Sequence, residues 1–274
     1  MTAPTENAPT DRNDLAHGND LTPGNDPTYG DYLRLSDLLD LHVPRCVPAH
    51  DEHLFITVHQ VHELWFQLLL HELADARERM MAGEICMPRI RLRRCHAIER
   101  ALFDTMQLLD TMTPKDFLAF RGGLGTASGA QSAQFHEIEI LSGRQAPPRL
   151  DRMPWLTAAE RTRLERRVAQ PSLWDGFLTV LAKAGFGVDT AEERHTAYAE
   201  ITRDPAHHAL NELAEALLDH DQAWALWRTR HVLVVERQIG GKPGTGGSTG
   251  VSYLAARAGA RFFPELWQFR LRLT

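Results

Sequence analysis

Two histidines stand in helical segments that are otherwise largely apolar, and the first of them is His59. It lies one helical turn after Phe55 and one turn before His62 and Glu63, so these side chains share one face of a helix. A zinc-protease motif would need a second histidine where Phe66 stands, which excludes that motif. Spacing alone leaves His59 as either a core histidine that hydrogen-bonds a neighbour or a polar group with a chemical role.

The second histidine is His231, which follows Trp227 and precedes Val232 and Leu233 in a long helical segment. A lone histidine on an apolar helix face is often structural. The same surroundings would suit an axial ligand of heme iron, because such an imidazole needs an apolar wall that keeps water away. Both interpretations remain open from spacing alone.

A glycine-rich run over residues 240–250 suggests a loop that contacts a small ligand. Lys242 precedes most of these glycines and no buried strand leads into them, so the phosphate-binding loop of nucleotide enzymes is a poor match. The pattern favours a mobile lid, in which Thr245 and Ser248 offer hydroxyl groups and the glycines expose backbone N–H groups. A plain flexible loop is the alternative.

Another glycine-rich run lies earlier in the chain, over residues 121–130, and begins with Arg121. Its guanidinium is a candidate for a bidentate pair with a carboxylate. The alternative is an ordinary surface arginine.

The elements that position these groups are predicted to be helices over most of the chain. Apolar residues recur at three- and four-residue steps, while strand-like alternation is almost absent. We expect an all-α fold with a single helical domain over residues 28–274 and a disordered tail over 1–27, where large apolar side chains are nearly lacking. Helices are predicted over 53–81, 88–112, 114–120, 131–141, 157–169, 172–185, 191–202, 206–238 and 251–260.

Composition and charge exclude several classes of protein. The net charge of −6 lacks the basic footprint of a nucleic-acid binder, and no apolar run approaches the roughly 20 residues that span a bilayer. The N-terminus does not resemble a secretory signal, and Cys46, Cys86 and Cys95 fit neither a zinc nor a disulfide pattern. We therefore expect a cytoplasmic protein with reduced thiols that acts on a small molecule and binds neither nucleic acid nor membrane.

Taken together and in this order, the motifs resemble those of the tryptophan 2,3-dioxygenase family over about residues 29–269. The combination is specific, although no single piece is. The matching pieces are Tyr29-Gly30-Asp31-Tyr32-Leu33, Leu54-Phe55-Ile56, His59-Gln60, Glu63-Leu64-Trp65, Thr113-Pro114, Phe117, Phe120-Arg121, Ser128-Gly129, Gln131-Ser132, Gln134-Phe135, Arg230-His231, Val235, Arg237, Ile239-Gly240, Lys242, Gly244-Thr245-Gly246-Gly247-Ser248, Gly250 and Phe262-Phe263-Pro264-Glu265-Leu266.

The resemblance implies an all-α subunit that binds one heme b between its helices, commonly in a homotetramer. His231 matches the proximal ligand of the iron, and Ser128 and Gly129 match the loop that lines the distal heme face. His59 matches the distal histidine that accepts a hydrogen bond from the indole N–H. The implied reaction uses O2 as co-substrate and cleaves the C2–C3 bond of L-tryptophan to an N-formylkynurenine-type product.

The resemblance also implies contacts to the substrate. Phe55 matches the aromatic side chain that packs against the indole, and Phe117 stands where relatives carry Tyr or Phe. Arg121 matches the arginine that pairs with the substrate carboxylate, and Thr245 the lid residue that helps to hold the amino-acid end.

The start of the matched region implies a contact between subunits. Tyr29, Tyr32 and Leu33 match an N-terminal segment that completes the pocket of a neighbouring subunit.

Three positions depart from the family pattern. Ala130 stands where Phe is usual, His62 where Ser is usual, and His136 where Arg or Tyr is more common. Drift with local repacking is one explanation, and a changed substrate or product is the other. The alternatives to ring cleavage are a monooxygenase of secondary metabolism that gives an oxindole, and a non-enzymatic heme sensor or carrier.

Extra room at Ala130 would suit a methylated tryptophan. On this hypothesis, Ala130→Phe lowers kcat/KM for β-methyltryptophan relative to tryptophan by at least about 10-fold, because a pocket discriminates a single carbon by that order. The measurement is the ratio of the two kcat/KM values in the variant and in the unmodified protein. An unchanged ratio would refute the hypothesis.

Overall fold

The computed structural model describes residues 26–144, 146 and 148–272. Within these ranges the regular elements are α-helices and short 3-10 turns, with no strand, which confirms the all-α prediction. The chain divides into two units, one that ends at Leu41 and one that begins at His42. The tail predicted over 1–27 lies almost entirely outside the described residues.

The first unit contains two helices of five residues, α1 (Tyr29–Leu33) and α2 (Leu35–Leu39). Thr28 caps α1, because its hydroxyl accepts from the N–H of Asp31 while the Asp31 carboxylate accepts from Thr28. Arg34 adopts a left-handed conformation at φ 51°, which ends α1 and starts α2 in a new direction.

The described part of the second unit contains ten α-helices, of which nine lie at predicted positions and the last, Pro264–Phe269, was not predicted. The first long helix begins at His50, three residues before its predicted start. Two further boundaries were wrong: the helix expected to run to residue 112 ends at Met106, and the one expected from 131 begins at Ala133. In both places a separate 3-10 turn replaces the missing part, Gln107–Thr111 and Gly129–Gln131. The helices are α3 (His50–Ala82), α4 (Cys86–Met106), α5 (Pro114–Arg121), α6 (Ala133–Ser142), α7 (Ala158–Val168), α8 (Leu173–Lys183), α9 (Ala191–Arg203), α10 (His208–Ile239), α11 (Val251–Ala258) and α12 (Pro264–Phe269).

Local sequence explains where these helices begin. Thr113, Thr157, Ser172 and Thr190 each precede an acidic residue by three positions, and each forms the reciprocal pair of hydrogen bonds of a capping box. At the other end, α3 stops at Gly83, whose φ of 92° is one that residues with a side chain rarely adopt.

The core lies between the two long helices, because α3 and α10 both pack along α4. Leu69 and Leu73 of α3, Leu102 of α4 and Leu213 of α10 are fully buried there. Each long helix carries one of the two histidines that the sequence singles out, so this packing determines how the two imidazoles face each other.

Three buried polar side chains also tie α4, α6 and α10 together. The Nδ1 atom of His220 lies 2.5 Å from the Glu99 carboxylate, and its Nε2 atom lies 2.8 Å from the Ser142 hydroxyl. The order of groups is that of a hydrolase triad, but all three residues are fully buried, so the Ser142 hydroxyl has no access to solvent. A nucleophile without access to substrate performs no hydrolysis, so this network is a connection between helices.

The next residue, Asp221, anchors the C-terminal segment to α10. Its buried carboxylate accepts from the backbone N–H of Phe262 at 3.0 Å, from that of Phe263 at 3.2 Å and from the indole N–H of Trp267 at 2.9 Å. Three charge-assisted hydrogen bonds thus hold the start of α12 against the middle of α10.

Asp221→Ala should lower the free energy of unfolding by about 3 kcal/mol or more, because it leaves three buried donors without an acceptor. Asp219→Ala, which removes an exposed carboxylate from the same helix, is the control and should change the free energy by less than about 0.5 kcal/mol. Urea unfolding followed by circular dichroism measures both values. Equal stability of the two variants would contradict the assigned role.

Candidate active site

A mostly apolar cavity of about 240 Å³ lies between α3, α5, α10 and the two glycine-rich loops. The residues predicted for the site from the second unit all border it. They are Phe55, His59, Phe117, Arg121, Ser128, Gly129, His231 and Thr245. Tyr29, Tyr32 and Leu33 belong to the first unit, where their side chains are exposed.

His59 presents a hydrogen-bond acceptor to this cavity. Its Nδ1 lies 2.7 Å from the carbonyl oxygen of Phe55, and a carbonyl can only accept, so Nδ1 carries the proton. Burial lowers the pKa of His59, with a further contribution from His62, and the ring is therefore neutral near pH 7. In that tautomer Nε2 has no proton and can accept one N–H hydrogen bond.

An aromatic cluster surrounds His59 on the α3–α5 side. The ring of Phe55 lies 4.0 Å from the His59 ring and 6.0 Å from that of Phe117, measured between centroids. Phe120 lies behind them, 5.4 Å from Phe55 and fully buried. These rings form a rigid apolar wall suited to a flat aromatic ligand.

His231 borders the cavity from α10. Its ring stacks on Trp227 with 5.6 Å between centroids, and Val234 and Val235 line the same wall. Burial, together with His59 and His62, lowers the pKa of His231 to about 4. Neither of its ring nitrogens hydrogen-bonds to another residue within the described chain. A neutral imidazole without a partner on an apolar wall fits an axial ligand of heme iron.

Arg121 ends α5 at the rim of the cavity. One of its terminal nitrogens, Nη2, donates to the carbonyl oxygen of Pro243 at 2.7 Å, while the Nε–H is buried without an acceptor. Among the described residues no carboxylate forms an ion pair with it. An arginine in this state fits the carboxylate of a ligand, which would satisfy the remaining N–H groups.

The second glycine-rich loop, residues 242–250, lies against the first, residues 121–130. Thr245 donates its hydroxyl to the carbonyl oxygen of Ala127, in addition to the contact between Arg121 and Pro243. A Cβ atom on Gly246 would lie 2.8 Å from the Cβ of Ser128, so only glycine permits this approach. The two loops therefore form one side of the cavity together.

The three positions that depart from the family pattern all border the cavity. His136 donates from Nε2 to the carbonyl oxygen of Ala130 at 3.1 Å, so two of the departures are in direct contact. His62 donates from Nδ1 to the carbonyl oxygen of Val58 at 2.8 Å and lies 6.1 Å from the ring of Trp227. Sequence alone did not reveal that Ala130 and His136 touch.

Sequence reasoning missed Arg228, which borders the cavity one turn before His231 on α10. Its Nη1 donates to the carbonyl oxygen of Arg257 at 3.0 Å and its guanidinium lies over the ring of Phe262, but Nε and Nη2 are buried without hydrogen-bond acceptors. A buried cation with free donors is costly unless an anionic group contacts it. The sequence did contain evidence for Arg228, because a residue three positions before His231 in a helix lies on the same face as His231.

The residues that line the cavity fit a heme better than a bare metal ion. In the described ranges no group of three or more His, Cys, Asp or Glu side chains is arranged to hold a metal ion. One neutral imidazole, one buried guanidinium and apolar walls instead match the iron, a propionate and the porphyrin face of a heme. Gly129 adds open space where a Cβ atom would otherwise stand.

Cys46, Cys86 and Cys95 are free cysteines. No helix within the described part has the length and apolar character needed to cross a bilayer.

The chain is similar to known proteins over nearly its whole length. The family model for tryptophan 2,3-dioxygenase matches residues 14–163 and 196–273. The tryptophan 2,3-dioxygenase of a Nocardioides species is 47% identical over 248 residues, which cover 88% of this chain and 93% of the relative. Those of Herpetosiphon aurantiacus and Myxococcus xanthus are 40% and 39% identical, over 88% and 97% of this chain and 96% of each relative.

Proposed function

The chain belongs to the tryptophan 2,3-dioxygenase family, and on that premise we propose that it is a heme-dependent dioxygenase that cleaves the C2–C3 bond of L-tryptophan. The observation that carries the proposal is that one apolar cavity brings together a neutral His231, a neutral His59 with a free acceptor and an unpaired Arg121. These are the three polar functions that the reaction needs. The product is of the N-formylkynurenine type.

His231 would hold the heme b iron, and Arg228 would pair with a propionate. His231 is neutral near pH 7, so ligation requires no proton to be removed. Gly129 and Ser128 border the face of the cavity toward the two loops, where the missing side chain at Gly129 leaves room for a flat ring. When bound, ferrous heme supplies the O2 chemistry by which both oxygen atoms enter the indole ring.

His59, Phe55, Arg121 and Thr245 would orient the substrate. The Nε2 atom of His59 accepts from the indole N–H, and the Phe55 ring packs against the indole face. Arg121 binds the carboxylate and Thr245 lies beside the amino-acid end. Two polar anchors at opposite ends of the molecule fix the direction of the C2–C3 bond, which is the main contribution of positioning.

The two glycine-rich loops and Phe117 would exclude water. The second loop lies on the first through Thr245 and Gly246, and Phe117 is buried in the aromatic wall. Because polar interactions strengthen as water leaves, closure of this side increases the effect of both anchors on the substrate.

We propose that the active form is a cytoplasmic homotetramer. Tyr29 and Tyr32 are 76% and 78% exposed, and Leu33 is 42% exposed, which is unusual for large apolar side chains. This exposure supports a role for the segment in completing the pocket of a neighbouring subunit.

The alternatives from the sequence are weaker. A gas sensor or heme carrier has no use for a carboxylate clamp, yet the unpaired Arg121 borders the cavity. No contact in the cavity favours an oxindole-forming monooxygenase over ring cleavage.

The proposal predicts that purified protein binds one heme and that the spectrum of its reduced CO complex shifts on addition of L-tryptophan. With ¹⁸O2, mass spectrometry should show two labelled oxygen atoms in the product, whereas a monooxygenase would incorporate one. His231→Ala should lose heme or bind it weakly, whereas His71→Ala, an exposed histidine of α3, should retain it. Full heme content and activity in His231→Ala would overturn the ligand assignment.

Arg121→Gln should raise the KM for L-tryptophan by about 30-fold or more, equivalent to about 2 kcal/mol or more, because the carboxylate loses its charged partner. Binding of 3-methylindole, which has no carboxylate, should change less than about 3-fold by the same reasoning. Spectral titration of the heme band measures both affinities. An equal loss for the two ligands would assign Arg121 to structure and not to recognition of the carboxylate.

A further inference from the structure

The second loop, residues 242–250, packs against a part of the first loop that has no regular helix. Thr245 donates to the carbonyl oxygen of Ala127, and Gly246 lies against the side chain of Ser128. Thr126 and Ala127 are exposed and lie between the 3-10 turns Gly122–Leu124 and Gly129–Gln131, outside any regular helix. The position of the Ala127 carbonyl therefore depends on side chains that brace the first loop.

Gln131 provides this brace. Its Nε2 donates to the carbonyl oxygen of Thr126 at 3.0 Å, and its Oε1 accepts from the backbone N–H of Ser128 at 3.3 Å. The two bonded groups lie on either side of Ala127. One amide side chain thus fixes both the peptide unit that contains the Ala127 carbonyl and the unit before it.

The backbone at Gln131 is held in place because α6, which begins two residues later, is hydrogen-bonded to α3. Gln134, in the first turn of α6, donates to both the backbone carbonyl and the side-chain carboxylate of Glu63, at 2.9 and 2.8 Å. Ser132 caps the same helix by accepting from the N–H of Phe135. Gln131, which precedes this anchored helix by two residues in the chain, therefore connects it to the first loop and, through Ala127, to Thr245 of the second loop.

We propose that Gln131 is a positioning residue that holds the first loop in the shape on which the second loop closes. It lies outside the groups assigned to heme or substrate and acts through Ala127 and Thr245. The inference rests on the proposed function in one respect, because a KM for tryptophan exists only if the protein acts on tryptophan. The packing of the second loop on the first can be measured without any substrate.

Two isosteric variants test the proposal. Gln131→Met removes both hydrogen bonds with little change in volume, and Gln131→Glu keeps the acceptor for Ser128 but removes the donor for Thr126. A residue that only filled space would tolerate both changes. Gln67→Met is the matched control, since Gln67 is an exposed glutamine of α3 without a hydrogen bond to either loop in the described chain.

Hydrogen–deuterium exchange of residues 242–250 is the first measurement. Loss of two hydrogen bonds, each of which shifts an equilibrium by about 5-fold, should accelerate exchange in this loop by about 5-fold or more in Gln131→Met. Gln131→Glu should accelerate it as well, because the carboxylate faces the Thr126 carbonyl without a donor. Exchange in the middle of α3 and α10 should remain at the level of the control.

Steady-state kinetics are the second measurement. The KM for L-tryptophan should rise about 10-fold in Gln131→Met with kcat changed less than about 3-fold, because the lost interactions favour closure over the bound substrate. Exchange and KM equal to those of Gln67→Met would overturn the proposal, as would acceleration spread equally over α3 and α10. If the protein has no activity toward tryptophan, the exchange result still tests the positioning role, so the two failures are distinguishable.

Discussion

Exclusion of water from the cavity between α3 and α10 determines the state of the groups around it. In a medium of low polarity an imidazolium is costly, so His59 and His231 are both neutral near pH 7, and the nearby His59 and His62 lower the pKa of His231 further. Neutrality makes one ring an acceptor for an N–H group and the other a ligand for a metal. The same exclusion makes the unpaired N–H groups of Arg121 and Arg228 costly until an anionic ligand contacts them.

The walls that exclude water come from two different kinds of structure. The long helices α3 and α10, which pack along α4, form the rigid walls and carry His59 and His231. The remaining side consists of two glycine-rich loops, which are held to each other by a few hydrogen bonds and by a close approach at Gly246. Rigid helices place the groups that need accuracy, and the loops give the side that can open to admit a ligand.

Most of the fold could be predicted from the sequence because helix signals are local. Apolar periodicity located α3 and α10, and threonine or serine three residues before an acid marked the starts of α5, α7, α8 and α9. The residues that border the cavity could be named from their motifs. Arg228 could not be assigned a role, because its hydrogen-bond partner and its unsatisfied donors depend on a distant segment of the chain. The role of Gln131 could not be assigned either, because its own partners are local but the loop that contacts them, through Thr245, lies 118 residues after Ala127. The contact between Ala130 and His136 escaped prediction because it depends on the turn at Gly129–Gln131.

The continuity of α10 has a consequence for how such a chain can change in evolution. One uninterrupted helix carries Asp221, which anchors the C-terminal segment, and ten residues later His231, which faces the cavity. A residue inserted between them would rotate one relative to the other by about 100° about the helix axis. The C-terminal segment and the imidazole could then not both keep their places. The fold therefore fixes the number of residues between Asp221 and His231, whereas the loops are the places where we expect the length of the chain to change without moving either group.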